Sequence, residues 1–222
     1  MALRHVRPGG VVATLAGVCL ALTAGCGGGA GDSPLFLLTQ QKGMMACVPA
    51  LNRAAGMTSW DTPVGMAFGM YYNQSWAPAK VMSVSLVDPR NLVVRGAVVY
   101  KMAQYNHAVP YVWTWSQEIA GGEPRPEWAA RQPVPGAVIP PGGGPAPANF
   151  ATAHPDVYQV VVEVQATARG DAWASGYTVT YRVTGRTYAV KLLVGLAIVD
   201  GATTGSACDG PQAAINADWN GS

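Results

Sequence analysis

Hydrophobic and polar residues alternate with a period of two along much of the chain. Tyr177, Val179, Tyr181 and Val183 interleave with Thr178, Thr180, Arg182 and Thr184. That is the pattern of a strand with one buried face. Thr184-Gly185-Arg186-Thr187 follows as a tight hairpin turn, with Gly where a positive φ is needed. The next strand is expected to run from Tyr188 to Val199. It becomes continuously apolar at Leu192-Leu193-Val194, which predicts a central strand covered on both faces. Tyr158, Val160, Val162 and Val164 alternate with Gln159, Val161, Glu163 and Gln165, and Gly170-Asp171 lies in the connection that follows.

Val81 to Val87 places Met82, Val84 and Leu86 on one face, with Ser83 and Ser85 on the other. Asp88-Pro89-Arg90-Asn91 then reads as a type I turn, and Leu92 to Lys101 as the partner strand returning from it. Val64 to Tyr72, Val109 to Trp115 and Pro34 to Thr39 are further strand candidates. Residues 117–155 break the pattern with nine of the seventeen prolines and several glycine runs. They are expected to form an extended loop with a brief strand at Val138-Ile139. No segment shows a sustained helical period with caps; Pro49 to Ala55 is expected to form one short turn. Many short strands with turn signals predict an all-β, antiparallel β-sandwich, with a small closed barrel as the alternative.

The first residues have a different texture. Arg4 and Arg7 precede an uncharged apolar stretch, Val11 to Ala24, which is shorter than the roughly 20 residues that span a bilayer. It ends in Leu22-Thr23-Ala24-Gly25-Cys26, followed by three glycines. This resembles the lipobox of bacterial lipoproteins, in which the cysteine receives a diacylglycerol thioether and becomes the new N-terminus. The resemblance implies a lipoprotein signal peptide at 1–25, a lipid on Cys26 and a flexible tether over 26–34. The β-sandwich domain is then expected over 35–208, with a C-terminal tail, mobile beyond Cys208, over 209–222. An ordinary secretory signal cut near Ala24 is the alternative. On the lipoprotein reading the domain sits on the extracytoplasmic face of the cell membrane.

That division changes the charge. Fourteen Lys and Arg stand against twelve Asp and Glu; Arg4 and Arg7 lie in the leader, which leaves twelve of each. No basic cluster or stripe remains, so nucleic acid is not expected as a partner, and no polybasic membrane-binding face is expected either. Ten Arg against four Lys, with abundant Ala, Gly, Val and Pro, looks like a high-GC coding bias. Cys19 leaves with the leader and Cys26 carries lipid. Cys47 and Cys208 remain, and in an oxidising compartment they predict one disulfide, two buried free thiols being the alternative.

Candidate chemistry is sparse. His107 and His154 read as solvated loop histidines, and no Gly-x-Ser-x-Gly elbow accompanies them, so Ser116 or Ser175 would be arbitrary nucleophiles. No enzyme and no cofactor is expected. Methionines are numerous. Met66, Met70 and Met102 together with His107 form the candidate set for a soft metal such as Cu(I), against the reading of methionine as core filler. Met66 and Met70, four apart on a strand, are expected on one face. Tyr111, Trp113 and Trp115 alternate with Val112 and Thr114, and Trp128 lies in the Pro-rich loop. An exposed aromatic row would suit sugar rings or a proline-rich partner; a buried one would be core.

Several segments also occur in a telling order: an early Cys, a strand ending in Asn73-Gln74-Ser75, VMSVSLVDPRNLVVRGAVVY, GAVIPPGGG, a Val-rich strand, GYTVTYRVTGRTYAV and a late Cys. The order resembles small secreted proteins and lipoproteins of actinobacteria with an immunoglobulin-like sandwich. The resemblance implies that fold and no site residue. The expected function is a non-enzymatic, membrane-anchored module that binds an envelope protein or glycan. Metal binding is the second reading and hydrolysis a distant third.

Overall fold

A computed structural model describes residues 33–37, 45–50, 59–101, 111–114, 130–145, 156–200 and 205–221. In chain order the strands are β1 (Leu35–Leu37), β2 (Met45–Pro49), β3 (Val64–Asn73), β4 (Ala79–Val87), β5 (Leu92–Lys101), β6 (Tyr111–Thr114) and β7 (Gln132–Pro133). They continue with β8 (Val138–Ile139), β9 (Tyr158–Ala166), β10 (Ala172–Ala174), β11 (Gly176–Val183), β12 (Arg186–Leu192) and β13 (Gly195–Val199). A 3-10 turn at Gly205–Cys208 leads into helix α1 (Asp209–Gly221).

The fold is all-β and sandwich-like. One sheet runs β1-β3-β9-β5-β7, with β6 also paired to β3. A second runs β12-β11-β4-β8, and a third, of three strands, runs β10-β13-β2. A single large core draws side chains from all three, among them Val160, Val162, Tyr177, Val179, Leu196 and Ile198. Among the described strands every pairing is antiparallel except β13 with β2, which is parallel and departs from the expected antiparallel plan.

The clearest local prediction is met at the β11–β12 hairpin. Thr184 and Gly185 both have positive φ, 46° and 84°, which matches the right-handed twist of the flanking strands. Three other expectations fail, each for a physical reason. Asp88–Asn91 is not a hairpin turn: β4 pairs with β11 and β8, and β5 pairs with β9 and β7. Asp88 and Asn91 do take positive φ, but they carry the chain from one sheet to another. Its backbone groups are satisfied elsewhere: Arg90 N–H donates to Trp173 O at 2.7 Å and Thr167 N–H to Asn91 O at 2.9 Å. The Arg90 guanidinium lies 4.6 Å from the Trp173 ring centroid.

The segment Tyr188–Val199 is two strands. β12 ends at Leu192 with one exposed face, and β13, buried along its whole length, begins at Gly195 in a different sheet. The apolar run at Leu192–Val194 marks this passage through the core. Finally, the supposed tail is a helix. Pro211, Ile215 and Trp219, four apart, form its buried stripe. Ile215 packs so closely on Gly195 that an added Cβ would lie 3.0 Å from it. Trp219 Nε1–H donates to Ser175 O at 2.8 Å. The Cys47–Cys208 disulfide, 6.2 Å between Cα atoms, fastens β2 to the turn that leads into the helix.

Candidate functional site

Two surfaces of the sandwich carry features with chemical meaning. The first is the outer face of the six-stranded sheet. Bulges set which residues reach it. In β3, Met66 pairs with Val162 and Gly69 with Val160, so Ala67 and Phe68 together oppose Val161. The extra residue reverses the alternation. Met66 faces the main core, whereas Met70, opposite Gln159, belongs to the other face. The expectation that both methionines share a face is therefore corrected, and they do not converge on one metal. Met102 and His107 lie outside the described residues, as do Cys26, Trp115, Trp128, Ser116 and His154.

On this outer face Ala67, Val98 and Val161 form a small buried cluster, with Tyr100 packed against it. Gln159 is buried beside them; its Nε2–H donates to Ala67 O at 3.1 Å, and its Oε1 accepts from the Tyr100 hydroxyl. Register places Tyr111 opposite Ala67 and Trp113 opposite Gly65. Gly65 in turn pairs with Glu163, and Glu163 with Gly96. Two of the four expected aromatic positions are thus in register with the outer face. Glu163 sits between two glycines, half-buried, and desolvation raises its carboxyl above the usual range while Arg95 partly offsets the rise.

The second surface is the end of the sandwich where the described chain begins. Ser33 Oγ and the Tyr181 hydroxyl are 2.6 Å apart, and Leu35 N–H donates to the same hydroxyl at 3.2 Å. Gln74 N–H donates to Pro34 O at 2.8 Å, which joins the entering segment to the β3–β4 loop. That loop is organised by Asn73, whose side chain is fully buried. Its Nδ2 donates to Ala77 O and Ile139 O, and its Oδ1 accepts from Ser75 N–H and Oγ–H. From the other side, Gly142, Gly143 and Gly144 donate backbone N–H groups to Asn73, Ser75 and Gln74 carbonyls. The Pro-Pro-Gly-Gly-Gly run and Asn73–Ser75, far apart in sequence, form one bonded unit.

The product of this scaffold is Trp76. It is 85% exposed, the one large hydrophobic side chain so exposed among the described residues. Its ring lies over Gly143, where an added Cβ would come within 2.7 Å. Sequence reading missed it, because a single Trp after a strand carries no period. The flanking turn chemistry of Asn-Gln-Ser was the available signal.

Beside this end lies a charged face. Arg182 pairs with Lys80 across β11 and β4, which puts both on the outer face, whereas Arg186 is opposite the core-facing Val183 at the hairpin and flanks the sheet end from its other face. Lys80, Arg182, Arg186 and Lys191 are all exposed, and the four strands of this sheet hold no Asp or Glu. Strand pairing thus sets Lys80 beside Arg182, a juxtaposition of two cations invisible along the sequence.

Ser175 is no nucleophile candidate: it is fully buried and its Oγ–H donates to Asp218 at 2.5 Å. Among the described residues no group of three His, Cys, Asp or Glu is placed to hold a metal, and no helix is long and apolar enough to cross a membrane. No protein-family model matches the chain, and neither does any curated protein.

Proposed function

We propose that the protein is a lipid-anchored, extracytoplasmic lipoprotein whose β-sandwich acts as a non-enzymatic binding module of the cell envelope. The observation that carries this reading is the Leu22–Cys26 motif at the end of an apolar leader, seven residues before Ser33, where the described domain begins. A disulfide between the two remaining cysteines fits an oxidising compartment. The immunoglobulin-like label belongs to the same reading. It is supported by antiparallel sheets around one core, although the disulfide ties a strand to the turn before a helix rather than bridging two sheet centres.

Within this reading, Tyr111 and Trp113 on β6, with Trp115 and Trp128, offer an aromatic contact for a glycan or protein partner. β6 pairs with β3 alone among the described strands, and strand addition along its other edge is the proposed mode of capture. Metabolic labelling with a fatty acid tests the anchor: label should enter the wild type and be lost in Cys26→Ala. Label surviving that substitution would end the lipoprotein reading. Affinity capture from envelope extract, compared with a Trp113→Ala variant, tests the binding face.

A further inference from the structure

We infer that the end of the sandwich bearing Trp76, Lys80 and Arg182 is a bilayer-contacting surface that seats the domain on anionic lipid. The inference rests on the lipid-anchor reading and adds a second, orienting contact to it. Three observations converge. The first is reach. Six residues lie between Cys26 and Ser33, and the seven residue steps from one to the other span at most about 25 Å at full extension. Ser33 and Pro34 are bonded to Tyr181 and to the Trp76 loop. An acylated Cys26 therefore keeps this end of the domain, rather than the opposite one, near the headgroups.

The second is Trp76 itself. An indole combines an apolar ring with one N–H donor and partitions to the membrane–water interface. A Trp left 85% exposed on a mobile loop would carry little information. Here the loop is held by the buried Asn73 side chain and by three glycine N–H groups, so the ring is displayed at a set position.

The third is charge. Lys80 and Arg182 are cross-strand neighbours of like sign, an arrangement that disfavours the sheet by itself. No described carboxylate forms an ion pair with either of them. An anionic surface relieves that repulsion, and each cation held near it strengthens binding roughly fivefold. Lys191 shares the sheet but pairs with Thr178, four registers away from the Arg182 pair, towards the other end.

The test uses the purified acylated protein reconstituted in vesicles of phosphatidylcholine, with or without phosphatidylglycerol, some containing brominated acyl chains. Brominated lipid should quench wild-type tryptophan fluorescence more than that of Trp76→Ala, and only where phosphatidylglycerol is present. The Trp76-dependent part should fall about fivefold or more in Lys80→Glu/Arg182→Glu and on raising salt, and stay unchanged in Lys191→Glu. All substituted side chains are exposed, and thermal melts confirm that the fold is kept. Vesicle flotation separates the two levels of the argument. Wild type that floats but shows the same quenching as Trp76→Ala overturns this inference and leaves the anchor standing. Wild type that fails to float overturns both. A Trp76 emission shift with soluble polyphosphate but none with vesicles assigns the surface to an anionic polymer and likewise overturns it.

Discussion

The two large sheets of this sandwich share a core but treat their outer faces in opposite ways. On the four-stranded sheet the outer residues of β4, β11 and β12 are Ser83, Ser85, Thr178, Thr180, Thr187 and cations, largely open to solvent. On the six-stranded sheet the outer residues of β9 include Gln159 and Val161, both buried, and Val161 has no exposed surface at all. The sequences state the difference plainly. β11 alternates strictly, whereas β9 reads Val160-Val161-Val162 without a polar break. A strand with one face in water needs polar residues at every second position; a strand covered on both sides does not.

The largest effect that would break this contrast is a charge placed on each outer face. Val161→Asp should destabilise by about 4 kcal/mol or more, because an unpaired carboxylate would be buried. Thr180→Asp should change stability by less than about 0.5 kcal/mol. Urea melts of the two variants measure the difference, and equal losses would mean that both faces are solvated.

Next in size is the junction between the sheets. Gly69 on β3 lies under two hydroxyls, and an added Cβ would sit 2.5 Å from that of Tyr177 and 2.7 Å from that of Tyr71. Gly69→Ala should cost about 1–3 kcal/mol by overpacking, with loss of near-UV dichroism from the displaced tyrosines.

Tyr177 sharpens the same point through pH. Its hydroxyl accepts from Gly69 N–H at 3.0 Å, and burial pushes its pKa up to about 12. Burial also raises Tyr71. The folded chain therefore holds these protons at pH values where the unfolded chain releases them. The resulting stability is present below the ordinary tyrosine value of 10.0 and is lost as pH rises from there towards about 12. Tyr177→Phe should cost about 1–2 kcal/mol at neutral pH by orphaning the Gly69 N–H. It should also make the alkaline decline shallower, which melts across that range would record.

The smallest effect belongs to Glu163 on the covered face. Its carboxyl is raised by desolvation, so the fold binds that proton more tightly than the unfolded chain does, and stability falls as pH rises above its ordinary value of 4.5. Glu163→Gln should gain less than about 1 kcal/mol near neutrality, after solvent screening, and nothing in acid. A gain that persists at low pH would point to packing instead of charge.

Much of the strand content was legible because it depends on local order. Thr184-Gly185 reads as a hairpin from residue types alone, since few side chains accept two successive positive φ values. Val138-Ile139 is a brief strand between proline runs in both views. The helix could have been found: Asp209 and Pro211 mark a start, and Pro211, Ile215 and Trp219 recur every four residues. Its stripe is narrow and its remaining positions polar, so it reads as a tail until β13 is there to receive it.

Residue order alone determined the periods, the tight turn and the two cysteines available to pair, because each follows from side chains acting on their own backbone or from simple count. Only tertiary structure decided which strands adjoin. The passage of Asp88–Asn91 between sheets, the split at Leu193–Val194 and the parallel β2–β13 pair all join segments distant in the chain. The reversal of Met66 and Met70 and the meeting of Lys80 with Arg182 follow from a bulge and a register, each defined by the neighbouring strand. A neighbour supplied by long-range packing leaves no mark in the spacing of residues that have yet to meet it.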